Sequence, residues 1–411
     1  MSVAARALPN EDARLSASPA AGRRVASVDA IRGLVMIIMA LDHVRDFIHN
    51  GAMTFQPTDL TRTTPILFFT RWITHICAPT FMFTAGLAAF FWWRRGKTKG
   101  QLSTFLLTRG VWLIVLELTV MRLAYNFDFS QEYPFFLLVL WVLGLCMMGL
   151  ALLVWLPIPA LAAVSVAMIF LHNTLDSVNA GQFGTLAGVW NVLHQPGAFP
   201  LGGALVFVAY PLVPWVGVMA LGFAFGRIFQ MERDVRGRYL IWIGSAASVG
   251  FLVLRAINGY GDPVPWQQQP STAFTVLSFL NTTKYPPSLS FLLMTLGPML
   301  LILAWFDAPR WKDSNPLIVF GRVPLFYFVL HFFAAHAAAA ILAVVRYGRD
   351  ALTFIFQPVP SMGGQSYPPQ FGYDLWVAYL VWAGIVITLY PVCRWFAELK
   401  ARRRAWWLSY L

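Results

Sequence analysis

Long apolar runs, each near the length of a membrane-crossing helix and parted by short polar breaks, fill the chain from residue 27 to residue 396. About 20 apolar residues in helical form cross a ~30 Å hydrocarbon layer. Ten such segments are predicted: residues 27–48, 66–93, 103–125, 135–156, 160–174, 205–229, 239–256, 288–306, 317–345 and 375–396. The expected fold class is all-α, a polytopic membrane helical bundle of about ten transmembrane helices. Residues 1–24 are rich in Ala, Arg and Ser with no apolar core, so a disordered cytoplasmic tail is expected there. One membrane domain over residues 25–400 and a basic, aromatic cytoplasmic tail over 401–411 complete the expected organisation.

Charge sets the orientation. Most of the 30 basic residues fall in the first tail, around Arg94–Lys99, Arg227–Arg238 and Arg310–Lys312, and after Arg394. These breaks alternate along the chain, so the positive-inside bias predicts both termini in the cytoplasm. The opposite side receives the long breaks at residues 175–204, 257–287 and 346–374, rich in Gly, Pro, Gln and Trp; long loops commonly carry binding surfaces.

Composition removes other classes. Only 12% of the 411 residues are charged and 58% are hydrophobic, against ~25% charged in a soluble domain. The formal net charge of +12 gathers beside apolar blocks and not on a folded polar domain, so no nucleic-acid partner is expected. Three cysteines, all within apolar runs, give no disulfide framework. CxxC, HExxH, phosphate-loop and dinucleotide glycine motifs do not occur, and no metal is expected. The absence of a strong internal repeat weakens a transporter built from paired halves.

The first run, SVDAIRGLVMIIMALDHVRDFIH, carries Asp29, Arg32, Asp42, His43, Arg45 and Asp46. A charge at mid-bilayer costs roughly 2.5–3.5 kcal/mol even on the lenient insertion scale, so each needs a partner or a purpose. Arg32 and His43 are eleven positions apart, which separates them by only ~20° around a helix and by ~16–17 Å along it. One face then offers a guanidinium, suited to phosphate, at the inner mouth and an imidazole, suited to proton transfer, in the outer half. Asp46, three residues on, shares that face and is placed to orient the ring; Asp42 points ~100° away. A plainer alternative stands beside this one: Asp29 and Arg32 neutralise each other, and His43 with Asp46 forms an interfacial cap.

Other runs hold Arg71 and His75, then Glu117, then Arg322 and His331. Buried structural pairing is the simpler account of each, with Arg71 or Arg122 sufficient for Glu117. His75 follows His43 as a candidate for chemistry.

The first run, with CAPTFMFTAG (77–86), resembles the bacterial branch of the heparan-α-glucosaminide N-acetyltransferase-like membrane proteins. YPLVPWVGVMALGFAFGRIF (210–229), NGYGDPVPW (258–266), NTTKYPPSLSFLLMTLGP (281–298) and FGRVPLFYFVLH (320–331) are similar to the same branch. The Arg-x10-His spacing is also that of the wider transmembrane acyltransferases that modify surface sugars, where the histidine is regarded as catalytic. One departure accompanies the resemblance. The lysosomal sugar N-acetyltransferase has an asparagine at this first-helix position and its catalytic histidine in the following loop, whereas no histidine lies between His49 and Ile66 here.

The resemblance implies a multi-pass acyltransferase of the bacterial inner membrane that draws acetyl-CoA or another acyl-CoA from the cytoplasm. It would pass the acyl group to a hydroxyl or amine of a sugar or glycan at the external face. His43 and Asp46 are then expected as catalytic residues, and Arg32 with Asp29 as donor-binding residues. Asp262, Trp266, Lys284 and Tyr285 are expected as acceptor contacts, and the lipid bilayer as surroundings; a homodimer is compatible with this picture. The alternatives are a proton-coupled small-molecule transporter, in which the same ionisable groups form a relay, and a non-catalytic membrane scaffold.

Overall fold

The computed structural model describes residues 25–128, 134–307, 311–357 and 367–403, together with 405 and 408. The tail expected over residues 1–24 lies outside these, as does most of 401–411.

Among the described residues the fold is a mainly helical bundle with one small sheet. Among the described residues, eight helical segments are long and apolar enough to cross a membrane. The first helix, α1 (Ala26–Ile48), is too charged to face lipid and stands inside the bundle. Next come α2 (Pro65–Trp72) and α3 (Cys77–Trp93), joined by a tighter 3-10 turn over Ile73–Ile76. A helical hairpin is made by α4 (Lys99–Leu116), extended through a π turn (Glu117–Met121) into α5 (Arg122–Asn126), and by α6 (Val139–Leu153). Helices α7 (Ile158–Leu171), α8 (Ala187–Leu193), α9 (Leu212–Phe225) and α10 (Arg233–Ile257) follow. The rest comprises α11 (Thr272–Leu280), α12 (Leu289–Phe306), α13 (Pro316–Arg322), α14 (Pro324–Tyr347) and α15 (Leu375–Arg402).

The expected spans reappear with shifted ends. Residues 135–137 and 205–208, expected to open helices, instead lie in strands β1 (Phe135–Leu137) and β3 (Ala204–Val208); β3 is central, parallel to β1 and antiparallel to β2 (Gly197–Leu201), in the order β1-β3-β2. The runs FFL and ALVFV are aromatic and β-branched, which suits a pleated surface, and Pro211 delays the following helix by disfavouring helical geometry in the residue before it. The single run expected over 317–345 breaks at Val323, where Pro324 starts a new helix at its first position. The last helix continues to Arg402, past the end at residue 396 expected for that span.

Helix α1 packs against α13, α14, α15, α3 and α12. Its crossing with α13 is close because glycines face backbone: a Cβ on Gly33 would lie 1.8 Å from the Leu317 carbonyl oxygen, and one on Gly321 would lie 1.7 Å from that of Asp29. Small residues that let helix backbones approach are the usual means of association where lipid removes the hydrophobic driving force. The crossing fixes the rotation of α1, and with it the direction of every charged side chain it carries.

Candidate active site

Arg32, Met36, Met39 and His43 recur at i, i+4, i+7 and i+11 on α1, so they form one stripe. The first three border a cavity of about 990 Å³ enclosed by α1, α3, α4, α6 and α14, at the upper end of the ~300–1,000 Å³ usual for ligand pockets. Its mouth lies at the basic end of the bundle, among Arg94, Arg95, Arg233, Arg236 and Lys400, and its inner part is walled by Met39, Phe81, Leu140, Leu143 and Phe328. The two methionines and Phe328 carried no distinctive sequence signal beyond that helical register.

Asp29 and Arg32 lie inside the mouth and pair at 3.2 Å. Arg322, from the end of α13, also borders the cavity and pairs with Asp313. At the rim, Asp307 accepts from Arg236 Nε at 2.7 Å and from Ser27 Oγ at 3.2 Å, tying the start of α1 to the end of α12.

Beyond the deep end of the cavity sits the imidazole of His43. Its ring centroid is 4.0 Å from that of Phe332, 5.2 Å from that of His331 and 6.3 Å from that of Phe328. Phe328 therefore belongs both to the cavity wall and to the surroundings of the imidazole. His43 itself lies one helical turn past Met39, outside the lining. His331 is fully buried, and its Nδ1 is 2.9 Å from the Tyr327 carbonyl.

The other charges of α1 form a compact network on its outer half. Arg45, 1% exposed, pairs with Asp42 at 2.9 Å and with Asp46 at 2.5 Å. Asp42 also takes Arg71 from α2. Two carboxylates and two guanidiniums thus satisfy one another where single charges would be costly to bury. Asp46, expected to orient His43, directs a carboxylate oxygen to Arg45.

Of the expected acceptor contacts, the structure brings Lys284 and Tyr285 towards this centre. The half-buried Lys284 lies within electrostatic reach of Asp42, His43 and His75, with its ammonium 5.3 Å from the centre of the Tyr285 ring. The Tyr285 hydroxyl meets that of Tyr210 at 3.3 Å, a partner that no local pattern signalled. His75 is buried beside Phe291, at 5.4 Å between ring centroids, and its Nδ1 has no hydrogen-bond partner among the described residues. Asp262 and Trp266 serve the loop itself. Asp262 accepts from Thr283 N and Oγ1 and from Ser288 Oγ, and Trp266 Nε1 donates to the Arg255 carbonyl at 2.8 Å.

Glu117 corrects an expected pairing. Its carboxylate meets neither Arg71 nor Arg122 but accepts from Leu140 N at 2.8 Å, Trp141 N at 3.2 Å and Tyr125 Oη at 3.2 Å. It thereby satisfies the otherwise unpaired amides that open α6, where a helix dipole favours negative charge.

Residues 24–253 match the family model described as heparan-alpha-glucosaminide N-acetyltransferase, catalytic. No curated protein matches the chain. The matched stretch covers more than half of the sequence, including α1, the cavity walls from α3, α4 and α6, and the network of Asp42 and Arg71, while α14 with His331 lies beyond it. The chain belongs to the heparan-α-glucosaminide N-acetyltransferase family.

Proposed function

We propose that the protein is an acyl-CoA-dependent acyltransferase of the bacterial inner membrane, taking its donor from the cytoplasm and modifying a hydroxyl or amine of a sugar or glycan outside. One observation carries this reading: the stripe from Arg32 to Met39 borders a cavity that is basic at its mouth and apolar within, and continues directly to His43. A nucleotide phosphate group suits the arginines of the mouth, which form bidentate hydrogen bonds to such oxygens. A thin acyl-bearing arm suits the apolar sleeve.

A thioester supplies an acyl carbon open to attack by a nucleophile. Arg32, with Asp29 setting its direction, holds the donor at the inner end. His43 takes the proton of the acceptor O–H or N–H as the new bond to the acyl carbon forms. When the C–S bond breaks, the same ring returns that proton to the departing sulfur. Asp42, Arg71, Arg45 and Asp46 hold the outer half of α1 in place, and Lys284 and Tyr285 contact the acceptor.

The test uses purified protein in lipid nanodiscs with radiolabelled acetyl-CoA and glucosamine as a soluble acceptor. Wild type should transfer label, His43→Ala should bind donor without transfer, and Arg32→Ala should raise the KM for donor. Transfer that survives loss of His43 would overturn the assignment. Uptake of glucosamine into proteoliposomes without any acyl donor would favour a transporter.

A further inference from the structure

The His43 ring faces a second imidazole that the mechanism above does not use. His331 lies on α14, fully buried, with its ring centroid 5.2 Å from that of His43 and the planes inclined at 34°. Its Nδ1 is 2.9 Å from the Tyr327 carbonyl oxygen, one turn earlier. A carbonyl can only accept, so Nδ1 carries the hydrogen and Nε2 presents a bare lone pair. Stacking on Tyr327 at 5.2 Å and contact with Phe328 at 5.5 Å hold the ring in that orientation. Neither His331 Nε2 nor His43 Nε2 has a hydrogen-bond partner among the described residues. Buried nitrogens without partners are rare, and two on adjacent rings are an arrangement that stability alone does not favour.

A histidine that accepts a proton during acyl transfer becomes an imidazolium, and enzymes of this logic supply a third group to receive its other hydrogen bond. The carboxylates on either side of His43 are engaged elsewhere, Asp42 by Arg71 and Arg45, and Asp46 by Arg45. We propose that His331 is a positioning residue for the reaction: its Nε2 lone pair accepts a hydrogen bond from the protonated His43 ring, directly after a small ring rotation or through one water. The proton removed from the acceptor stays within the pair until the sulfur leaves and takes it, so atoms and charge balance. This inference rests on the proposed function and adds a residue from α14, beyond the stretch matched by the family model.

Asparagine at 331 keeps a donor at the position of Nδ1, and so the bond to Tyr327, but has nothing at the position of Nε2. Glutamine places an amide oxygen near Nε2. Transfer from radiolabelled acetyl-CoA to glucosamine is measured per mole of folded protein, with acetyl-CoA binding and melting temperature as controls. His331→Asn should lower kcat ~100-fold or more while the KM for acetyl-CoA stays within ~threefold, and His331→Gln should recover ~tenfold of the loss. A kcat for His331→Asn within ~threefold of wild type overturns the proposal, as does equal impairment of both variants in step with lost folded protein. A wild-type protein that binds acetyl-CoA without any transfer removes the proposed function and this inference together; an active wild type beside an equally active His331→Asn removes this inference alone.

Discussion

The Asp42 carboxylate of the first helix holds two guanidiniums at once, that of the buried Arg45 from its own helix and that of the partly buried Arg71 from the next. Breaking a buried ion pair by removing one partner typically costs ~3–5 kcal/mol, because the other charge remains without its counter-ion. Asp42→Asn should therefore lower the melting temperature of the detergent-solubilised protein clearly. Adding Arg71→Met should restore much of it, since the stranded cation is then gone. If the double variant melts no higher than Asp42→Asn, the network does not carry this load.

Phe328 forms part of the cavity wall and also lies against both imidazoles. Truncating it joins the cavity to the space beside His43 and admits water to the acyl carbon. Phe328→Ala should raise acetyl-CoA hydrolysis in the absence of acceptor while lowering transfer to acceptor. Release of free CoA in a thiol assay reads the first quantity, and an unchanged rate would show that the ring does not part donor from solvent.

The α1–α13 crossing leaves no room for a methyl group, with backbone oxygens 1.8 and 1.7 Å from the built Cβ positions of Gly33 and Gly321. Gly321→Ala must push the two helices apart. Overpacking of a well-packed core typically costs ~1–3 kcal/mol, and here the obstacle is backbone, which yields less than a side chain. The expected result is a large loss of monodisperse protein in size-exclusion chromatography. Gly237→Ala, at a position where a Cβ meets nothing within 4 Å, should behave like wild type.

His49, just past the end of α1, accepts at Nδ1 from Ala52 N and is therefore neutral in the folded protein. Burial, with the nearby charge of Arg45, holds its imidazole at about 4, well below the usual 6.5. A histidine depressed in the folded state stabilises fully above its unfolded value, and that contribution is lost as pH falls from 6.5 towards 4. Solvent screening at the helix end keeps it near ~1 kcal/mol. His49→Gln should flatten the pH dependence of the melting temperature across this window relative to wild type. Parallel curves for the two proteins would remove His49 as the cause.

What was legible in the sequence was whatever follows from one helix at a time. Runs of apolar residues located the spans, because each hydrocarbon crossing must satisfy its own backbone within the segment. Helical periodicity placed Arg32 and His43 on one face, because 3.6 residues per turn is a property of the backbone and not of its surroundings. The first helix could be read as interior from its charges alone. The strands at 135–137 and 204–208 were less visible, since short aromatic and β-branched runs fit either state until a partner strand is present.

The sequence by itself determined the membrane-bundle class, the charged first helix and the stripe along it. Only the tertiary structure decided that His331 meets His43, that Arg71 meets Asp42, that Glu117 caps α6 and that the stripe borders a cavity. These contacts join distant parts of the chain, and they depend on how far each helix is rotated about its own axis. That rotation is set where backbones touch, as at Gly33 and Gly321, so it is a property of helix pairs that no single segment encodes.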